Sequence, residues 1–280
     1  ALEFPGLPLQ GIDLSTEGAY ADYFEFTFDE LIRRQSPFEA GQVGSCATYQ
    51  FSGEEADLED PILGRGLDAG TSIAFEGPGV TTTLPRESPG NYYRAFREPS
   101  FGLPFLKPEF VRATLKAALR GESEEKQQSG QGLQSGVHRF RAPGGADVPA
   151  HEASFNLSRN FVWTNRNAIT TIDRSAGVTV NWQGGAPGRQ ATIFGYSAFI
   201  RPPEDIDGGG MFFCLVDSAP GTFTVPGSVL RQLPQSAVVE GMPIGVLAVG
   251  LFQYEFFNAP TMDLGVIGDS DTDLKFTGYN

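Results

Sequence analysis

Apolar side chains recur at every second position through the C-terminal part of the chain and are interrupted by turn residues. Val178, Val180 and Trp182 alternate with Thr179, Asn181 and Gln183 ahead of Gly184 and Gly185, and Phe223 and Val225 alternate with Thr222 and Thr224 ahead of Pro226. A period of two is that of a strand with one buried face. Runs of this kind occupy 161–164, 169–172, 178–182, 191–195, 211–216, 222–225 and 245–252. Seven short strands in about 120 residues predict an immunoglobulin-like count.

The N-terminal half is less regular. Residues 1–15 carry apolar pairs, Leu2 and Phe4, Leu7 and Leu9, Ile12 and Leu14, with Pro5, Gly6, Pro8 and Gly11 between them. Each pair places two side chains on one face of extended backbone, and the prolines confine such a segment to an edge. This predicts an extended arm. Phe24, Phe26 and Phe28 alternate in a predicted strand, and residues 29–35 begin acidic and end basic, as a short helix prefers. Predicted strands follow at 45–51, carrying Cys46, and in a hairpin of 70–77 with 80–84 about Gly77, Pro78 and Gly79. The acidic run 54–60 reads as a solvated tip. Residues 108–120 predict a helix, with Pro108 at its first position, Gly121 past its end, and a stripe of Phe110, Val111, Leu115, Ala118 and Leu119. Residues 121–136 offer only Leu133 for burial and read as an exposed polar insertion. Strands at 137–140 and 153–157 complete this half.

The predicted fold class is mostly β, with two immunoglobulin-like antiparallel β-sandwich domains and one short helix inserted in the first. The predicted division is an arm at 1–18, a first domain at 19–158 holding the helix and polar insertion of 105–136, and a second domain at 159–280. Composition agrees with this class. Gly 35 and Pro 20 are about a fifth of the 280 residues, and 23 Phe and 8 Tyr stand against 3 Met, so the apolar content suits pleated surfaces.

Charge removes one class of partner. With 20 basic and 34 acidic residues, the net charge of −14 opposes binding to nucleic-acid phosphates. Sixteen of the cations are Arg, whose planar guanidinium suits fixed pairs with carboxylates; compositional bias explains the count equally well. The longest uncharged apolar stretch that could be read as a span, 241–254, has 14 residues where a transmembrane helix needs about 20, so no transmembrane segment is expected. Cys46 and Cys214 are the only cysteines, which leaves a single bridge or two buried thiols. A bridge would close a loop of 168 residues and remove roughly 5 kcal/mol of unfolded-state entropy in the chain-entropy model. The chain starts at Ala1, as an exported protein does after signal-peptide removal and as a trimmed chain also would.

Five stretches carry a family resemblance. They are Leu67-Asp-Ala-Gly-Thr-Ser-Ile-Ala-Phe-Glu-Gly-Pro78, Ala142-Pro-Gly-Gly-Ala-Asp-Val148, Phe161-Val-Trp-Thr-Asn165, Asp173-Arg-Ser-Ala-Gly-Val-Thr-Val-Asn-Trp-Gln-Gly-Gly185 and Gly221-Thr-Phe-Thr-Val-Pro226. Together they resemble a family of secreted, immunoglobulin-like bacterial proteins of unassigned function, over roughly residues 45–265. The resemblance implies fold and export. It implies no activity, and residues 105–136 depart from the family pattern.

Few groupings point to chemistry. His138 and His151 are the only histidines, and neither lies in a nucleophile elbow or a His-Glu-x-x-His run, so both are expected as surface or strand-end residues. Asp269, Asp271 and Asp273 alternate, so in an extended segment they share one face and would suit calcium, the one cofactor considered. The EF-hand pattern is broken, since Leu274 stands at the tight-turn glycine and Asn280 at the bidentate Glu; the competing reading is a solvated terminal loop. Residues 204–210 read as a second acidic, flexible turn. Trp163, Trp182 and Tyr196 could stack on a sugar, although strand context favours burial for the tryptophans.

The expectation is therefore an exported, extracellular or cell-surface structural protein and not an enzyme. It would act by contact with other copies of itself, through the arm, or with cell-surface or matrix components. The alternative is an extracellular carbohydrate- or ligand-binding module, calcium-dependent through the aspartates.

Overall fold

The computed structural model describes residues 17–25, 44–52, 65–97, 133–201, 205–239, 242–243, 245–258, 262 and 265–280. The arm residues Leu2, Phe4, Leu7, Leu9, Ile12 and Leu14, the segments 26–35 and 54–60, and the helix with most of its polar insertion, 105–132, lie outside them. Among the described residues the chain is mostly β. In chain order the strands are β1 (Glu17–Asp22), β2 (Phe24–Glu25), β3 (Ser45–Ser52), β4 (Arg65–Gly66), β5 (Ser72–Gly77), β6 (Val80–Ser88), β7 (Asn91–Arg97), β8 (Gly136–Ala142), β9 (His151–Leu157) and β10 (Val162–Trp163). They continue with β11 (Thr171–Ile172), β12 (Val178–Gln183), β13 (Gln190–Arg201), β14 (Asp205–Asp217), β15 (Thr222–Val225), β16 (Val238–Val239), β17 (Met242–Pro243), β18 (Gly245–Phe257) and β19 (Gly265–Tyr279). The described residues also hold a short helix, α1 (Gly227–Leu230), and a 3-10 turn, Arg166–Ala168. Among the described residues no helix is long and apolar enough to cross a membrane.

Two compact units form. Unit 1 takes the described residues within 1–34, 58–158 and 254–267, and unit 2 those within 35–57, 159–253 and 268–280.

Unit 1 holds a six-stranded sheet in the order β1-β7-β6-β5-β8-β9, and every pairing registered within it is antiparallel. Local sequence explains its centre. Pro78 and Gly79 turn the chain so that Gly77 faces Val80, and the threonines of β6 favour extended backbone. Alternation then sets the faces. Ile73 and Phe75 of β5, Leu84 of β6, Tyr92 and Phe96 of β7, and Ala153, Phe155 and Leu157 of β9 are buried together. Each large apolar side chain so buried contributes about 1.5–3 kcal/mol relative to exposure.

Unit 2 holds a second six-stranded sheet, β11-β19-β18-β13-β14-β3, and a three-stranded sheet, β10-β12-β15. The short β11 runs parallel to the end of β19; β13 pairs antiparallel with both β14 and β18. Val178, Val180 and Trp182 of β12 and Val225 of β15 share one core with Ile193, Phe212, Val249 and Tyr279 of the larger sheet. Two acidic segments differ from expectation. Residues 205–207 begin β14 and are not a flexible turn, and Asp269, Asp271 and Asp273 lie inside β19 and not in a terminal loop. In both places long sheet pairing overrides the weak strand propensity of aspartate and glycine.

One close approach in unit 1 depends on glycine. A β-carbon at Gly77 would fall 2.2 Å from Cδ2 of the His138 ring. Gly77→Ala is therefore expected to lower unfolding stability in urea by about 1–3 kcal/mol through overpacking, and an unchanged midpoint would contradict this packing.

Candidate functional site

The disulfide lies at a sheet edge. Ser45 to Ser52 pair antiparallel with Leu215 back to Gly208, which sets Cys46 directly opposite Cys214. The two are bonded, with Cα atoms 4.0 Å apart, so the bridge crosses between neighbouring strands of one sheet. Cys214 is fully buried and Cys46 packs partly buried against the same core. Further bonds hold the strand. The Gly44 amide donates to the Leu215 carbonyl at 2.7 Å, Gln50 Nε2 donates to the Gln232 carbonyl at 2.6 Å, and Thr48 Oγ1 donates to the Gln232 side-chain oxygen.

Both histidines serve packing in unit 1. His138 is not a surface residue: it is fully buried in β8, stacked on Phe75 at 5.5 Å and on Phe155 at 5.7 Å. Its Nδ1 donates to the Gly136 carbonyl at 3.0 Å. Its position two residues before Phe140 and four before Ala142 puts it on the inward face of the strand, a signal the sequence carried and polarity obscured. His151 begins β9. Its Nδ1 lies 3.0 Å from the Pro149 carbonyl, so that nitrogen carries the proton and Nε2 accepts from the Tyr23 hydroxyl at 3.1 Å. The Tyr23 hydroxyl is pushed up to about 12, first by burial and then by neighbouring Tyr92, and it stays protonated as the donor through neutral pH. Phe257 stacks on the His151 ring at 6.3 Å.

The aromatic side chains proposed for ligand stacking are interior. Trp163 and Trp182 face each other across β10 and β12, each 3% exposed. Trp163 Nε1 donates to Asn165 Oδ1 at 3.0 Å and Trp182 Nε1 to the Ser218 carbonyl at 2.9 Å. Tyr196 is buried too, and burial raises its hydroxyl to about 12. Burial of all three leaves no open ring face for a sugar.

Of the proposed calcium ligands, Asp273 lies 3.5 Å from Arg166 Nη1, and Lys275 Nζ donates to the Arg166 carbonyl at 2.9 Å. Among the described residues no group of three or more His, Cys, Asp or Glu side chains is placed to hold a metal ion.

Charge pairing concentrates on the outer face of β5, β8 and β9. Arg141 bridges Glu152 at 2.7 Å and Glu76 at 2.9 Å, and Arg139 Nε lies 2.7 Å from Glu152. Arg65 of β4 bridges Glu25 of β2 and Asp147 of the connection between β8 and β9. At the edge of the six-stranded sheet opposite β9, Tyr20 of β1 and Tyr93 of β7 are directly opposed and are 70% and 46% exposed. The Tyr93 ring lies over Gly18, where a β-carbon would come within 3.1 Å of its Cε2.

The chain matches no family model, no curated protein and no solved structure with which it was compared.

Among the described residues, three carboxyls are held below the ordinary range. The Arg141 hydrogen bond, then the charges of Arg139 and Arg141, lowers Glu152; the Asp68 amide, then Arg65, lowers Asp147; the Ser175 hydroxyl and amide lower Asp173. A depressed carboxylate stabilises the fold above its unfolded value, about 4, and this contribution is lost as pH falls through the folded values. Thermal unfolding is therefore expected at lower temperature as pH drops below about 4, with little change on the neutral side. A melting temperature that holds or rises on acidification would contradict these pairings.

Proposed function

We propose that this protein is an exported structural or cell-surface protein and not an enzyme, acting by contact with other copies of itself or with cell-surface or matrix components. The observation that carries this reading is the tyrosine pair Tyr20 and Tyr93, opposed and exposed on the first two strands of the unit 1 sheet. Tyrosine presents a large, rigid surface with a polar tip, which suits a protein contact at a sheet margin. The Cys46–Cys214 bond supports an oxidising, extracellular location. For the architecture we infer immunoglobulin-like sandwiches, supported in unit 2 by the core that its two sheets share and by the strand spacing of residues 161–252. The motif resemblance to secreted bacterial proteins supports the same class and the same export.

Self-association is assigned to the arm, residues 1–15, whose spaced apolar pairs suit addition as a strand to a sheet of a second copy. Light scattering on three proteins tests this: the full chain, the chain lacking residues 1–15, and Tyr20→Ser with Tyr93→Ser. The full chain is expected to exceed the mass of one copy, and both variants to fall toward it. A full chain of single-copy mass, or variants that assemble unchanged, would overturn the reading.

A further inference from the structure

We infer that β3 is an exchangeable strand, and that a second copy of this chain can supply it to β14, sealed by a Cys46–Cys214 disulfide between copies. The inference rests on the self-association reading above and names a different element from the arm. Its basis is the divided attachment of residues 45–52. By contacts they belong to unit 2, as the edge strand next to β14. By covalent connection, the described residues before and after them, 17–25 and 65–97, belong to unit 1.

Among the described residues, the ladder, the disulfide and the Gln232 bonds that hold β3 all come from unit 2. Eight ladder positions from Gly208 to Leu215, the sulfur of Cys214, and Gln232 set its place and register. None of these contacts distinguishes a strand of the same chain from the same strand of another copy. An exchange therefore preserves each of these contacts, the condition under which swapped oligomers are low in cost. Leaving the site empty is the poor alternative, since β14 would then present a row of unpaired amides and carbonyls. The balance between the two closed forms is set by effective concentration, so exchange is favoured at high protein concentration and when the bond forms during folding.

The covalent step needs a disulfide oxidant, for which glutathione disulfide serves. The Cys46 thiolate of one copy attacks glutathione disulfide, releasing one glutathione and leaving a mixed disulfide. The Cys214 thiolate of the other copy then attacks the Cys46 sulfur and expels the second glutathione. Two thiols are oxidised and one disulfide is reduced, with two protons passed to the two glutathione thiols.

The test mixes isotope-labelled and unlabelled full-length chain in equal amounts, unfolds and reduces them together, and reoxidises them in a glutathione redox buffer at several protein concentrations. Peptides spanning the bond are then read by mass spectrometry. The expected result is a peptide joining labelled Cys46 to unlabelled Cys214, and its converse, with a share that rises with protein concentration. Only like-with-like peptides at every concentration would overturn the exchange. A second arm mixes Cys46→Ala with Cys214→Ala, neither of which can close its own bridge. A covalent heterodimer in excess over both homodimers is expected; absence of such an excess contradicts the inference. Light scattering on the same samples separates the two readings, because oligomers without a bond between copies would sink strand exchange and leave self-association standing.

Discussion

A strand that buries one face must also satisfy the backbone groups along both of its edges, and the pairing of β3 with β14 meets that demand for unit 2. β14 sits between β13 and β3, and its residues Phe212, Cys214 and Val216 point into the core. The disulfide joins the ladder to that core at one position, since Cys214 is both a paired residue and a fully buried one. Pairing, register and burial are thereby coupled. A slip of one residue would turn the inward side chains outward and separate the two sulfurs.

The rest of the molecule applies the same logic without a covalent bond. In unit 1 the inward face is aromatic, with Phe75 between Phe96, Phe140 and His138, and the outward face is ionic, with Arg141 shared by Glu76 and Glu152. The preference for arginine over lysine has a use here, because one planar guanidinium can reach two carboxylates on neighbouring strands. These pairs are solvent-exposed, so they add little to stability individually and more to register across the strands. Polar groups in the interior are likewise spent on structure. The Tyr23 hydroxyl, the His151 ring and the Pro149 carbonyl form a chain of hydrogen bonds, and the two tryptophan N–H groups end on Asn165 and Ser218.

Much of this organisation was legible wherever alternation was local and undisturbed. Val178 to Trp182, Thr222 to Val225 and Ala153 to Leu157 show their buried faces in sequence, and the turn at Pro78 and Gly79 marks its hairpin. Legibility failed where a distant partner decided the outcome. Residues 205–207 and Asp269 to Asp273 look like loops because their composition disfavours strands, yet each is carried into a long strand by pairing with neighbours. His138 looks like a surface residue until its place in the inward row of β8 is read together with Phe140 and Ala142. Nothing local shows that residues 45–52 join the sheet of unit 2, because the register that places them is written in residues 208–215. Of the candidate site residues, the cysteines left a bridge and two buried thiols both open, with no sign of a sheet edge, and the exposed pair Tyr20 and Tyr93 was not legible at all, since cross-strand opposition depends on register.

Amide hydrogen exchange on the oxidised and reduced protein measures most directly whether the bonded edge strand closes the unit 2 sheet. Reduction is predicted to release protection across residues 45–52 and at those amides of 208–215 that point toward β3, while amides pointing toward β13 keep theirs. Equal protection of β14 on both edges after reduction would contradict the account.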